Sequence, residues 1–312
     1  MKIKMRKRKN KYLIVIAGPT AVGKTFTGIT IARHFGAAVI SADSRQIFKE
    51  LVIGTAGPSE QQLHEVPHYF VRNKSIHDNF NASKYEVQVN QLLSELFEIN
   101  PVVLLVGGSG LYIDAVCKGI DELPEVDPEI RKKIQEQFEK EGIESLRRDL
   151  KILDPASYEK VDLRNHKRIQ KALEVTIMTG KPYSSLLTST EKNRNYDIIR
   201  IALDMDRKVL YDSINKRILK MMDDGLEDEA QNVYPYRDIN ALNTVGYKEL
   251  FLFFDGKISR DEAVRSIQSN TRKYARKQLT WFKKNKKYQW FHPFEVNKII
   301  SCIEDQIENS SA

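Results

Sequence analysis

Leu13-Ile14-Val15-Ile16-Ala17-Gly18-Pro19-Thr20-Ala21-Val22-Gly23-Lys24-Thr25 is the stretch whose reading decides the fold. Its first five residues are an unbroken apolar run, which predicts a buried strand. Residues 18–25 then fit G-x-x-x-x-G-K-[ST], the phosphate-cradling loop, at every position. A helical run from about Lys24 to Phe35 follows. Glycines let successive backbone N–H groups turn inward on an anion, and the helix N-terminus adds partial positive charge. The phosphate-binding candidates are Gly18, Pro19, Thr20, Ala21, Val22, Gly23, Lys24 and Thr25. Lys24 supplies a full charge that reaches terminal phosphates, and the Thr25 hydroxyl is a ligand for Mg²⁺.

Working outward, Ala37-Ala38-Val39-Ile40-Ser41 reads as a second strand that delivers Asp43-Ser44-Arg45-Gln46 to its carboxyl end. That is the end at which open α/β sheets bind ligands. Three roles stand open for Asp43: Mg²⁺ ligand, cap of a following helix, and general base. Pro101 to Val106 is the most apolar strand, as expected for one covered on both faces of a parallel sheet. It ends in Gly107-Gly108-Ser109, without the carboxylate a Walker-B strand would carry. This counts against an NTPase that needs a water-orienting acid there. Ser109 is either a second phosphate contact or part of a tight strand–helix turn. Ile198 to Leu203 returns to a strand, and Val209 to Val233 reads as a helix interrupted by Gly225. On it, Arg217 has the planar fork of a phosphate clamp, or else forms a surface salt bridge. The expected class is α/β: a P-loop NTPase-like parallel sheet flanked by helices.

Between about residues 118 and 195 the chain is charged and helical, with no strand signal, so a helical insertion is expected there. The core then comprises residues 12–117 and 196–294, with a basic leader at 1–11 and an amphipathic tail at 295–312. In the insertion, Arg164 to Lys171 is a basic run that is either a solvated face or an anion-binding one. From Ala263 to Phe294 there is no acidic residue, while nine Lys and Arg alternate with Tyr274, Trp281, Phe282, Tyr288 and Trp290. Unopposed charge interleaved with aromatics favours a nucleic-acid-facing surface over a solubility face. The whole 312-residue chain carries 50 Lys+Arg against 42 Asp+Glu, a net charge of +8, which an anionic polymer partner would explain. No apolar run approaches a bilayer span and no secretory signal precedes the first strand, so a cytoplasmic location is expected. Cys117 and Cys302 have no partners at metal spacing, nor do His64, His68 and His77.

Taken together, these blocks resemble the tRNA dimethylallyltransferases (tRNA isopentenyltransferases). The resemblance rests on Gly18–Thr25, Ser41-Ala42-Asp43-Ser44-Arg45-Gln46, Ile53-Gly54-Thr55-Ala56, Val66-Pro67-His68, Leu105–Tyr112, Val245-Gly246-Tyr247 and Thr271–Phe282, in family order. It implies transfer of a five-carbon prenyl group from dimethylallyl diphosphate to the exocyclic amine of an adenosine beside the tRNA anticodon. It implies Asp43 as the proton acceptor, with Ser109, Lys24 and Arg217 completing the catalytic set and Mg²⁺ at Thr25. The base would be flipped out of the anticodon loop to reach them. Implied tRNA contacts are Asp43, Ser44, Arg45, Gln46, Ser109, Arg131, Lys167, Arg168, Ile169, Gln170, Lys171, Asn243, Thr244, Val245, Gly246, Tyr247, Lys248, Arg272 and Arg276. Ser109 stands where the family usually has Thr, and the hydroxyl remains. Without the Cys/His extension of eukaryotic relatives, a bacterial-type monomer is expected. The competing functions are a P-loop small-molecule kinase and an RNA-stimulated ATPase.

Overall fold

Tyr12–Ala17 (β1) runs fully buried through a six-stranded parallel sheet of order β3-β2-β4-β1-β5-β6 in the computed structural model. The structure describes residues 10–121, 123–188 and 191–311, so the expected basic leader lies outside it through residue 9. The other strands are Val39–Ser41 (β2), His68–Tyr69 (β3), Val102–Gly107 (β4), Asp197–Leu203 (β5) and Gln289–Phe291 (β6). β1 pairs with β4 (Leu13 opposite Val103) and with β5 (Leu13 opposite Ile198). The apolar runs of β1 and β4 are buried, as strands covered by helices on both faces must be.

The chain divides into two compact units, one running up to Lys118 and resuming at Asn193, the other Gly119–Lys192. In the first, the helices are Lys24–Phe35 (α1), Glu60–Glu65 (α2), Ala82–Ile99 (α3) and Gly110–Lys118 (α4). The second holds Pro128–Glu141 (α5), Ile143–Leu153 (α6), Pro155–Lys160 (α7) and His166–Thr179 (α8). The first unit resumes with Arg207–Asp223 (α9), Leu226–Val233 (α10), Tyr247–Phe254 (α11), Arg260–Lys283 (α12) and Val296–Ser311 (α13). Ser59 and Gln62 close a capping box on α2, and Ser259 and Glu262 close one on α12, as their spacing predicts.

Two local expectations change. No helix follows Asp43; residues 44–47 form turns, so the Asp43 carboxylate caps a turn. The interruption expected at Gly225 within Val209–Val233 is a full break into two helices, because Gly225 adopts φ 100°, a left-handed conformation that ends the first and opens the second. β6 was not legible in the sequence: three residues within a basic stretch pair parallel to Ile201–Leu203 at the sheet edge.

The second unit packs Ile134, Leu146, Leu150, Ile169, Ala172 and Leu173 into its own core. Asp154 joins α6 to α7: its carboxylate accepts from Ser157 N, Ser184 N and Ser184 Oγ at 3.0, 2.8 and 2.6 Å. Burial alone would raise its pKa, but these hydrogen bonds outweigh it and hold the group below the ordinary carboxylate value.

Candidate active site

The connection from β1 runs to β2 on one side of the sheet, whereas that from the adjacent β4 runs to β5 on the other. Strands whose connections part in this way leave a crevice at their carboxyl ends. Here that crevice opens into a cavity of about 680 Å³. The loop after β1 forms its floor, Asp43–Gln46 one wall, and α9, α12 and residues 54–56 and 243–249 most of the rest.

The floor is built for an anion. Gly23 sits at φ 103° as the N-cap of α1, and no side chain caps that helix, so its first N–H groups are left for a ligand. Lys24 Nζ donates to the Pro19 carbonyl at 2.7 Å, and Arg217 Nη1 donates to Thr20 Oγ1 at 3.4 Å. Desolvation lowers the Lys24 pKa to about 7, opposed by Asp43 and reinforced by Arg217. Desolvation also lowers that of Arg217. Among the described residues neither cation has a carboxylate at ion-pair distance, although the Asp43 charge acts on Lys24 from farther off, so both gain from an incoming anion. Gln278 of α12 latches the loop from above: its Oε1 accepts from Thr20 N at 2.9 Å and its Nε2 donates to the Gly108 carbonyl at 2.8 Å.

On the wall, Asp43 Oδ1 accepts from Arg45 N at 2.9 Å and Gln46 N at 3.3 Å. This Asx turn fixes the carboxylate and leaves Oδ2 without a hydrogen bond among the described residues. Ser109 is buried at the head of α4, where its Oγ accepts from Ser44 N at 2.9 Å. It thus ties the turn after β4 to the turn carrying Asp43. Two phenols respond to the same carboxylate. Burial pushes Tyr112 up to about 12, and the Asp43 charge adds to it; Tyr274, 40% exposed, is moved upward by desolvation and by the same charge. Gln46 Nε2 donates to the Thr55 and Ala56 carbonyls at 3.2 and 3.4 Å.

A family model described as IPP transferase matches residues 46–285. The chain belongs to that family. A relative named tRNA dimethylallyltransferase 2, from Azobacteroides pseudotrichonymphae genomovar. CFP2, is 50% identical over 300 residues, spanning 96% of this chain and 98% of the relative. tRNA dimethylallyltransferase 1 of Bacteroides fragilis (strain YCH46) is 48% identical over 298 residues, spanning 96% and 99%. Among solved structures, a tRNA isopentenylpyrophosphate transferase from Bacillus halodurans superposes with a TM-score of 0.72 at 32% identity, covering 96% of this chain and 98% of the other. A eukaryotic dimethylallyltransferase acting on tRNA shares the fold, with a TM-score of 0.71 at 23% identity over 87% and 69% of the two chains.

In this IPP transferase the cavity gathers Thr20, Ala21, Gly23, Lys24, Thr25, Asp43, Ser44, Arg45, Gln46, Arg217, Asn243, Thr244, Val245, Gly246 and Lys248 from the residues singled out in the sequence. Others lie elsewhere. Val22 is in the core, and Tyr247 is fully buried behind the wall. Arg272 and Arg276 turn towards α9, where Arg272 Nη1 donates to Asn215 Oδ1 at 2.6 Å and Arg276 Nη1 to the Tyr211 hydroxyl at 2.8 Å. In the second unit Lys167 and Arg168 are exposed, while Arg131 Nε lies 3.4 Å from Glu174. Burial lowers the Lys171 pKa. Ile169 is fully buried in that unit's core and Gln170 nearly so, with Nε2 bonded to Gln135. A tRNA contact through the Ile169 side chain is therefore corrected: its packing against Leu146 and Leu150 keeps it from solvent. The acid-free stretch also changes in three dimensions. Lys283 pairs with Asp204 at 3.2 Å, and Phe282 and Tyr288 are core residues.

Cavity residues missed in the sequence include Ile267, Asn270, Thr271 and Gln278, together with Tyr274 and Lys277, which were read only as part of the basic surface. Their spacing of three and four along α12 is the face of one helix, a signal the sequence did carry.

Proposed function

We propose that this protein transfers a dimethylallyl group from dimethylallyl diphosphate to the exocyclic amine of an adenosine adjacent to the tRNA anticodon, releasing diphosphate. One observation carries the reading. A carboxylate with an uncommitted oxygen, Asp43, shares one cavity with the phosphate loop, its Lys24 and the facing Arg217 of α9, neither cation at ion-pair distance from a carboxylate, and the strand between Asp43 and the loop ends in Gly-Gly-Ser. The pocket therefore has an anion end and a proton-accepting wall, without the acid an NTPase uses on water.

In the reaction the allylic C–O bond breaks and its electron pair leaves on the diphosphate. The loop N–H groups, Lys24 and Arg217 stabilise that growing charge. The adenine amine forms the new C–N bond, and its surplus proton passes to Asp43 Oδ2. Ser109 holds the Asp43 turn in place. Among the described residues no cluster of three or more His, Cys, Asp or Glu side chains offers a metal site of its own. A Mg²⁺ ion brought in with the diphosphate would be held by the Thr25 hydroxyl at the head of α1. When bound, it would neutralise charge on the leaving group. With tRNA as acceptor the reaction belongs in the cytoplasm, and among the described residues no helix is long and apolar enough to cross a membrane.

The test is transfer of label from ¹⁴C-dimethylallyl diphosphate to unmodified tRNA, run beside transfer from γ-³²P-ATP to tRNA and small acceptors. Prenyl label in tRNA supports the reading. Phosphoryl transfer without prenyl transfer would establish the kinase instead.

A further inference from the structure

Glu229, in the first turn of α10, has no place in the chemistry above, yet it is among the most heavily engaged carboxylates of the first unit. Its Oε2 accepts from Val52 N at 2.8 Å and Ile53 N at 2.7 Å. Its Oε1 accepts from Gly54 N at 2.8 Å and from the Tyr247 hydroxyl at 2.7 Å. Three consecutive N–H groups converging on one carboxylate make an anion nest filled by a side chain. The first turn of a helix is also where a negative charge is stabilised. The contact is specific: a Cβ on Gly54 would lie 2.5 Å from the Tyr247 hydroxyl, and Tyr247 is fully buried and has no room to swing away.

The consequence reaches the cavity from both sides of the clamp. On one side, Gly54, Thr55 and Ala56 line it, and the Thr55 and Ala56 carbonyls hold the amide of Gln46. On the other, Tyr247 is buried directly behind the wall, between its lining residues Gly246 and Lys248. The wall beside the clamp carries the uncharged polar side chains Gln46, Thr55, Asn243 and Thr244, which suit a neutral heterocycle, alongside Arg45, Lys248 and Glu249. The cations that suit a diphosphate, Lys24 and Arg217, sit at the phosphate-loop end.

We propose that Glu229 is a positioning residue that fastens the two loops forming the base-side wall, and so governs recognition of the flipped purine rather than of the diphosphate donor. This rests on the reaction proposed above. The clamp itself depends on four donors meeting a full negative charge, so an isosteric amide should not replace it: the NH₂ of a glutamine would face N–H donors.

The experiment compares Glu229→Gln, Glu229→Ala and Tyr247→Phe with the wild-type protein. It reads three quantities: hydrogen exchange at the Val52, Ile53 and Gly54 amides, affinity for an unmodified anticodon stem-loop, and affinity for dimethylallyl diphosphate, the last two by direct titration. Both Glu229 variants are expected to exchange these amides roughly tenfold faster. They should bind the stem-loop about tenfold more weakly, an effect of the size of one charge-assisted hydrogen bond, with donor affinity unchanged. Tyr247→Phe, losing one donor of four, should shift the same way by less and keeps the test alive if Glu229→Ala does not fold. Wild-type exchange and affinity in Glu229→Gln would overturn the proposal, as would equal weakening of stem-loop and donor. Because these readouts do not require turnover, absence of prenyl transfer in the wild type would refute the proposed reaction and leave the clamp tested on its own.

Discussion

Gln278 offers the sharpest perturbation, because one side chain joins the phosphate loop to the turn after β4. Gln278→Leu removes both bonds, to Thr20 N and to the Gly108 carbonyl, at a residue only 5% exposed. An orphaned buried polar group costs about 1–3 kcal/mol. The Gly108 carbonyl lies in the buried contact and incurs the upper part of that range, whereas Thr20 is partly exposed and recovers water. The expected loss is about 2–4 kcal/mol, or roughly 4–8 °C in melting temperature for a unit of this size. Gln278→Glu keeps the acceptor for Thr20 N but sets a carboxylate against the Gly108 carbonyl and beside the anion cradle. Two like charges about 8 Å apart at an effective dielectric near 20 repel by about 2 kcal/mol, or roughly thirtyfold in diphosphate affinity. The Leu variant carries no such charge, so its diphosphate affinity should fall by less than the Glu variant's. Thermal melting and calorimetric titration with dimethylallyl diphosphate check both effects. A Leu variant melting within a degree of wild type, or a Glu variant binding donor as tightly as wild type, would refute the latch.

Asp43→Asn should lower the transfer rate by about 10²–10⁴-fold, the usual range for loss of a positioned base, with stem-loop affinity little changed; single-turnover kinetics and filter binding measure the two. Replacing Arg272 and Arg276 together with Gln should weaken tRNA binding and reduce the slope of log K against log salt by roughly 1.5, the share of two phosphate contacts. An unchanged slope would mean that this face of α12 does not meet RNA. Asp154→Asn should destabilise the helical second unit at neutral pH. Since the native carboxyl titrates below its ordinary value, its stabilisation is complete above the unfolded pKa and disappears as pH falls through the folded one. The gap between wild type and variant should therefore close in acid, as followed by urea unfolding against pH.

The phosphate loop, the parallel sheet and the placing of Asp43 at a strand's carboxyl end were legible because each is local. An apolar run, a glycine spacing or a helical period is written in residues a few positions apart. The absence of a strand among the described residues between 118 and 188 was legible for the same reason. Tertiary structure alone decided the rest. Gln278 meets Thr20 across 258 positions, and Glu229 meets Val52 across 177. No local pattern marks such a pair, because a Gln or Glu on a helix reads the same whether it faces water or a distant loop. Ile169 shows the reverse case: within a basic run it read as part of an RNA-facing stretch, yet the 3.6-residue turn of α8 carries it into the core while Lys167 and Arg168 stay in solvent. Motif spacing therefore marked where a phosphate-binding pocket forms. Which side chains hold that pocket open depended on contacts that form only when the sheet brings its strand ends together.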